Sequence, residues 1–161
     1  MRKITIFSGK LHSGKTSAII DISLRFKLYG FATPVLKGSR YLLNLATMEK
    51  RRLEYLKSPY VSDALLVGNF AFKPEVFEWA RNSLLKYVRN CLSPIIIDEY
   101  GYLELQGKGF EPFLTYKQVR ESNLKIIIVV REKLVQKLIE TFSIDSPNII
   151  YNLNELRQQI E

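Results

Sequence analysis

The chain has 161 residues, 47% hydrophobic and 25% charged, a balance that fits one globular domain, taken as 1–161, with a sizeable core. A single cysteine, Cys91, excludes an internal disulfide, and a single histidine, His12, excludes a Cys/His zinc site. The formal net charge of +8 attracts phosphates of any kind, but the basic residues are scattered and the run Lys50-Arg51-Arg52 is short for a nucleic-acid tract, so a solvated face is the simpler account.

In chain order, "MRKITIF" starts basic, but its apolar part stops at Phe7, short of a signal peptide, and nothing later approaches a membrane span. A reducing, cytoplasmic setting is expected. "KITIFS" reads as a strand ended by glycine. From Lys15 to Tyr29, Ala18, Ile19, Ile22, Leu24, Phe26 and Leu28 suit a helix closed by Gly30. Residues 33–57, broken by Pro34 and Gly38 into the runs "PVL", "RYLLNL" and "RRLEYL", read as a small β-rich insertion. Lys73 to Asn90 carries the helical stripe Val76, Phe77, Trp79, Ala80, Leu84, Leu85 and Val88, with Pro74 where the first turn tolerates it.

"SPIIID" then reads as a buried strand, 99–110 as a loop and "PFLTYKQVRES" as a helix. "LKIIIVV" is a second apolar strand, "EKLVQKLIETF" a helix, and "NIIYNLNELRQQI" a last strand and helix. Unbroken Ile/Val runs indicate strands covered on both faces, as in parallel sheets. The order predicts an α/β fold of three layers with a mainly parallel central sheet.

Gly9, four residues, then Gly14-Lys15-Thr16 have the spacing G-x-x-x-x-G-K-[ST], between a predicted strand and a predicted helix. There, backbone N–H groups and the helix start converge on an anion. Gly9, Lys10, Leu11, His12, Ser13, Gly14, Lys15, Thr16 and Ser17 are therefore expected to bind nucleotide. The glycines permit close approach, Lys15 reaches the β and γ phosphates, and Thr16 ligates magnesium. His12 is expected to face solvent.

Such a site needs a carboxylate from the end of a neighbouring strand, and "IIIDEYG" supplies two. Asp98 would hold Mg2+ through water, and Glu99 would orient or deprotonate an attacking water. An acidic turn at a strand end is the structural alternative. Arg131, directly after "IIIVV", would emerge at the same edge, to stabilise charge on the γ-phosphate or to pair with Glu132 or Glu99.

These residues resemble the THEP1 family of small nucleoside-triphosphatases. The resemblance spans "GKLHSGKT", Gly30-Phe31, "YLLNLATMEKRRL", "VGNFAFKPEVFEWA", "IIIDEYGYLEL" and "IIIVVREKLVQKLIETF". Around the acidic pair the family pattern is D-E-I-G-x-[ML]-E, matched by Asp98, Glu99, Gly101, Leu103 and Glu104, with Tyr100 in the aliphatic place. The loop interior "KLHS" departs from a pattern commonly richer in glycine and proline. The resemblance implies a magnesium-dependent hydrolase of ATP, GTP, CTP and UTP with a three-layer P-loop NTPase fold on a RecA-like sheet, giving diphosphate and phosphate. It also implies the same roles for Lys15, Thr16, Asp98 and Glu99, and matches Arg131 to the family's arginine after the later strand.

Two rival readings use the same loop. A small-molecule kinase would hold its acceptor in the 33–57 segment, with Lys50-Arg51-Arg52 as a lid. A non-hydrolytic nucleotide-binding adaptor of a cofactor-assembly enzyme would not need Glu99. Tyr60, Phe70 and Phe72 are candidate base-stacking surfaces, with core packing the competing use of the two phenylalanines. No helix-turn-helix, zinc or aromatic RNA-binding signature appears, so nucleic acid is not an expected partner.

Overall fold

The computed structural model describes residues 3–10, 14–56 and 63–161. Leu11, His12, Ser13 and Tyr60 lie outside them.

Five strands run parallel: β1 (Lys3–Gly9), β2 (Tyr29–Ala32), β8 (Ile95–Ile97), β9 (Lys125–Arg131) and β10 (Asn148–Ile150). Three short strands, β3 (Val35–Leu36), β4 (Ser39–Asn44) and β5 (Lys50–Arg52), extend the sheet by antiparallel pairing. The order is β10-β1-β9-β8-β2-β4-β3, with β5 also on β4. The β-rich segment 33–57 thus joins the sheet edge through β4. A separate hairpin, β6 (Leu65–Val67) and β7 (Phe70–Phe72), docks beside it through the Tyr55 N–H to Ala71 carbonyl bond and the Lys73 N–H to Leu53 carbonyl bond.

The Ile/Val runs alternate after all, between two cores. Ile4, Ile6, Ile95, Ile97, Ile126, Ile128 and Val130 face one side, under α2 (Pro74–Arg89) and α5 (Val135–Thr141). Phe7, Ile96, Ile127 and Val129 face the other, with Ile19 and Ile22 of α1 (Lys15–Ser23) and Leu156 of α6 (Leu153–Ile160). Both faces being apolar explains why the sequence shows no polar alternation. Pro74 is the first residue of α2, where its missing N–H costs nothing.

Three stretches differ from expectation. The helix after the loop ends at Ser23, not Tyr29: Leu24 is 67% exposed, and Tyr29–Ala32 form the fully buried strand β2. Gly30 belongs to that strand because φ is +107° and a Cβ there would sit 1.9 Å from the Ile96 carbonyl oxygen. The 99–110 stretch contains a helical turn, α3 (Tyr102–Leu105), and the predicted helix at 112–122 divides into a 3-10 turn (Phe113–Thr115) and α4 (Lys117–Glu121).

Candidate active site

Parallel strands end at one edge, so the residues following β1, β2, β8 and β9 meet there. Register sets their levels: Gly9 pairs with Arg131, Ile97 with Ile128 and Phe31 with Ile97. The strand carrying Asp98 is not β1's neighbour as expected, because β9 lies between them.

The loop side is set by backbone. Gly14 has φ +79°, a left-handed conformation with open space around its Cβ position, so glycine serves the turn rather than a close contact. From it α1 starts with no side-chain cap and no acidic residue in its first turn, which leaves N–H groups to an external acceptor. Lys15 Nζ donates to the Lys10 carbonyl at 2.7 Å, so the ammonium reaches back across the loop. Burial pushes the Lys15 pKa below its usual value; Glu99 and Asp98 oppose the fall, and Arg131 adds to it. Ser17 is exposed in the first turn and lines the same cleft.

Asp98 is 1% exposed, and its Oδ2 accepts from Thr16 Oγ1 at 2.6 Å, Thr33 N–H at 3.1 Å and Thr33 Oγ1 at 3.0 Å. One carboxylate oxygen thereby ties the start of α1 to the ends of β8 and β2. Glu99 takes a left-handed φ of +56°, uncommon for a non-glycine residue and typical of strained functional positions. Its Oε2 lies 3.6 Å from Arg131 Nε, both side chains 31% exposed. Of the two partners expected for Arg131, Glu99 is the one it meets. The guanidinium also lies 5.8 Å from the Tyr102 ring centroid.

An open cleft of about 490 Å3 is lined by Gly14, Lys15 and Thr16 together with Asp98, Glu99 and Arg131. Thr33 and Arg40 complete it, and sequence reasoning missed both. Thr33 became legible only once β2 was known to pair with β8; Arg40 lies on β4, and no motif marks it. The Lys50-Arg51-Arg52 run does not line the cleft: Arg51 pairs with Glu49 at 2.9 Å and stacks 4.3 Å from the Trp79 ring centroid. Phe72 is buried in the core, and Phe70, stacked on it, is 44% exposed.

Glu104, buried at 3% exposure, braces the loop that carries Glu99. Its Oε2 accepts from Gly101 N–H at 2.8 Å and its Oε1 from Phe110 N–H at 3.0 Å. Burial raises its pKa to about 7; the backbone donors lower it in part and Glu99 adds to the rise.

Comparison with known proteins bears on the fold and the family of the chain. The crystal structure of THEP1 from the hyperthermophile Aquifex aeolicus superposes with a TM-score of 0.74 over 100% of this chain and 99% of that one, at 21% identity, a likeness of fold. No curated protein matches the chain significantly. A family model described as NTPase matches residues 4–160, so that the chain belongs to this family, the THEP1-like nucleoside-triphosphatases its motifs resemble.

Proposed function

We propose that the protein hydrolyses nucleoside 5′-triphosphates to the diphosphate and phosphate, with magnesium and with little base preference. The observation that carries this reading is the Glu99 carboxylate. It lines the same cleft as Lys15, beside Arg131, one residue beyond the Asp98 carboxylate that Thr16 contacts. A site that only held nucleotide would need the loop and Asp98; a second carboxylate on the γ-phosphate side suits the positioning of a nucleophile.

Magnesium fits the donor set, since the Thr16 hydroxyl and Asp98 carboxylate are hard oxygen donors 2.6 Å apart. Among the described residues no group of three or more His, Cys, Asp or Glu could hold a metal by itself, in keeping with an ion that shares its coordination with substrate phosphates. Bound there, it would neutralise charge on the β and γ oxygens. Lys15 would contact the same oxygens, and the N–H groups at the start of α1 would hold the phosphates in line. Glu99 would orient a water and accept its proton, while Arg131 would keep Glu99 in place and face the developing charge.

The test is phosphate release from ATP, GTP, CTP and UTP with magnesium, beside two variants. Glu99→Gln is expected to bind nucleotide and lose about 10²-fold or more in turnover. Lys15→Ala is expected to weaken binding and turnover together. Wild-type release no greater than that of Lys15→Ala would end the proposal.

A further inference from the structure

A second cavity, of about 80 Å3, adjoins the cleft at Glu99 and Arg131. Thr33, Arg40, Glu99 and Arg131 line both spaces, so the two communicate at the residues placed around the reacting end. Behind that mouth the walls are apolar, formed by Leu53, Phe70, Phe72, Phe77 and Leu103. A triphosphate does not account for this space. Its phosphates are highly charged, and the cleft at the opposite side of the loop, bordered by Tyr151, Asn152 and Asn154, offers about 430 Å3 for the rest of the nucleotide.

Two polar groups among these walls lack partners within the protein. Arg40 Nε and the Tyr100 hydroxyl are both buried without a hydrogen bond, and Tyr100 is 1% exposed. Arg40 and Tyr100 both line the cavity. Buried donors of this kind are rare in folded proteins because leaving one without an acceptor is costly. A ligand with an accepting group removes that cost at Arg40.

We propose that this cavity seats a second substrate: a small hydroxy acid with a branched aliphatic body, whose hydroxyl takes the place of water as the acceptor of the γ-phosphoryl group. The size follows from comparison with a dry cavity of about 150 Å3 that holds benzene; this one takes a body of about three or four carbons, with the polar end left at the mouth. The carboxylate follows from Arg40. The hydroxyl follows from Glu99, which is at the mouth and can accept its proton. In the transfer the alcohol oxygen bonds to the γ-phosphorus, and the bond from that phosphorus to the β,γ-bridging oxygen breaks. The hydroxyl proton passes to Glu99, and the diphosphate leaves with the electron pair. Water entering the same mouth gives the hydrolysis proposed above, and the inference rests on that reading of the cleft.

The experiment uses the full chain with 2-hydroxy-3-methylbutyrate as probe, glycerol as a polar control, magnesium and ATP or its non-hydrolysable analogue. Methyl NMR reads the cavity at Leu53 and Leu103, amide NMR reads the cleft at Thr16 and Thr33, and phosphorus NMR reads the product. The expected result is a saturating shift of the Leu53 and Leu103 methyls with the probe but not glycerol, and a phosphomonoester signal beside inorganic phosphate. Val67→Phe, which narrows the cavity from the hairpin side, should weaken probe binding about tenfold, the equivalent of two lost methylene contacts, and Arg40→Gln, which removes a charge-assisted hydrogen bond, should weaken it about tenfold or more. Having two variants guards against one failing to fold. Methyls that ignore the probe, or probe binding with inorganic phosphate as the sole product, overturn the inference. If the Thr16 and Thr33 amides still respond to nucleotide in that case, the cleft reading survives; if they do not, it fails first.

Discussion

Replacing Glu104 by glutamine tests how the loop bearing Glu99 is held. A carboxyl pushed from its ordinary 4.5 up to about 7 corresponds to about 3 kcal/mol of differential free energy between its protonated and ionised forms. The sign follows from proton counting. Between those two values the folded protein holds a proton that the unfolded chain has released, so stability falls as pH rises through the window and the full cost is present above it. Glutamine cannot ionise, so this component vanishes. It does carry a cost of its own, because one amide oxygen replaces two acceptors and either Gly101 N–H or Phe110 N–H is left facing an NH2 group, at about 1–3 kcal/mol. The variant should therefore be the less stable protein at about pH 5 and match or exceed the wild type at about pH 8, the gap shifting by about 3 kcal/mol in its favour. Urea unfolding followed by the fluorescence of Trp79, the single tryptophan, measures it. A gap that stays constant between those two pH values would refute the reasoning.

Gly30→Ala should prevent folding, since its Cβ would lie 1.9 Å from the Ile96 carbonyl oxygen and the backbone φ is +107°. The expected loss exceeds about 4 kcal/mol, and a cooperative thermal transition by circular dichroism would contradict it. Asp98→Asn keeps an oxygen for Thr16 and Thr33 but loses the charge. The magnesium concentration for half-maximal phosphate release should then rise about 10–100-fold, and an unchanged midpoint would remove Asp98 from the metal site.

The sequence made the loop and the acidic pair readable because both are short-range patterns: the spacing of Gly9, Gly14, Lys15 and Thr16, and an isoleucine run that stops at Asp98. The three-layer α/β fold followed from runs covered on both faces. What stayed hidden depends on long-range pairing. Tyr29 and Gly30 look like the end of a helix until Ile95–Ile97 are placed beside them, and only then does Thr33 fall next to Asp98. Arg40 reaches the cleft because β4 pairs antiparallel with β2, a choice that no local signal in 33–57 encodes. Asp98 itself was legible, but the strand between it and the loop was not, since sheet order is set by crossovers rather than by residue pattern.

The two cores flanking the sheet are unequal, and that inequality sets an order of local stability. The α2 helix buries six side chains over sixteen residues, whereas α1 buries Ile19 and Ile22 over nine, without a side-chain cap at its start. Hydrogen bonds in a helix so lightly anchored open at lower free energy than those of the sheet beneath it. The end proposed to bind phosphate is thus the part of the fold with most to gain from a ligand. Nucleotide held there should slow amide exchange in α1 far more than in α2, and equal slowing in both helices would mean that the two open together.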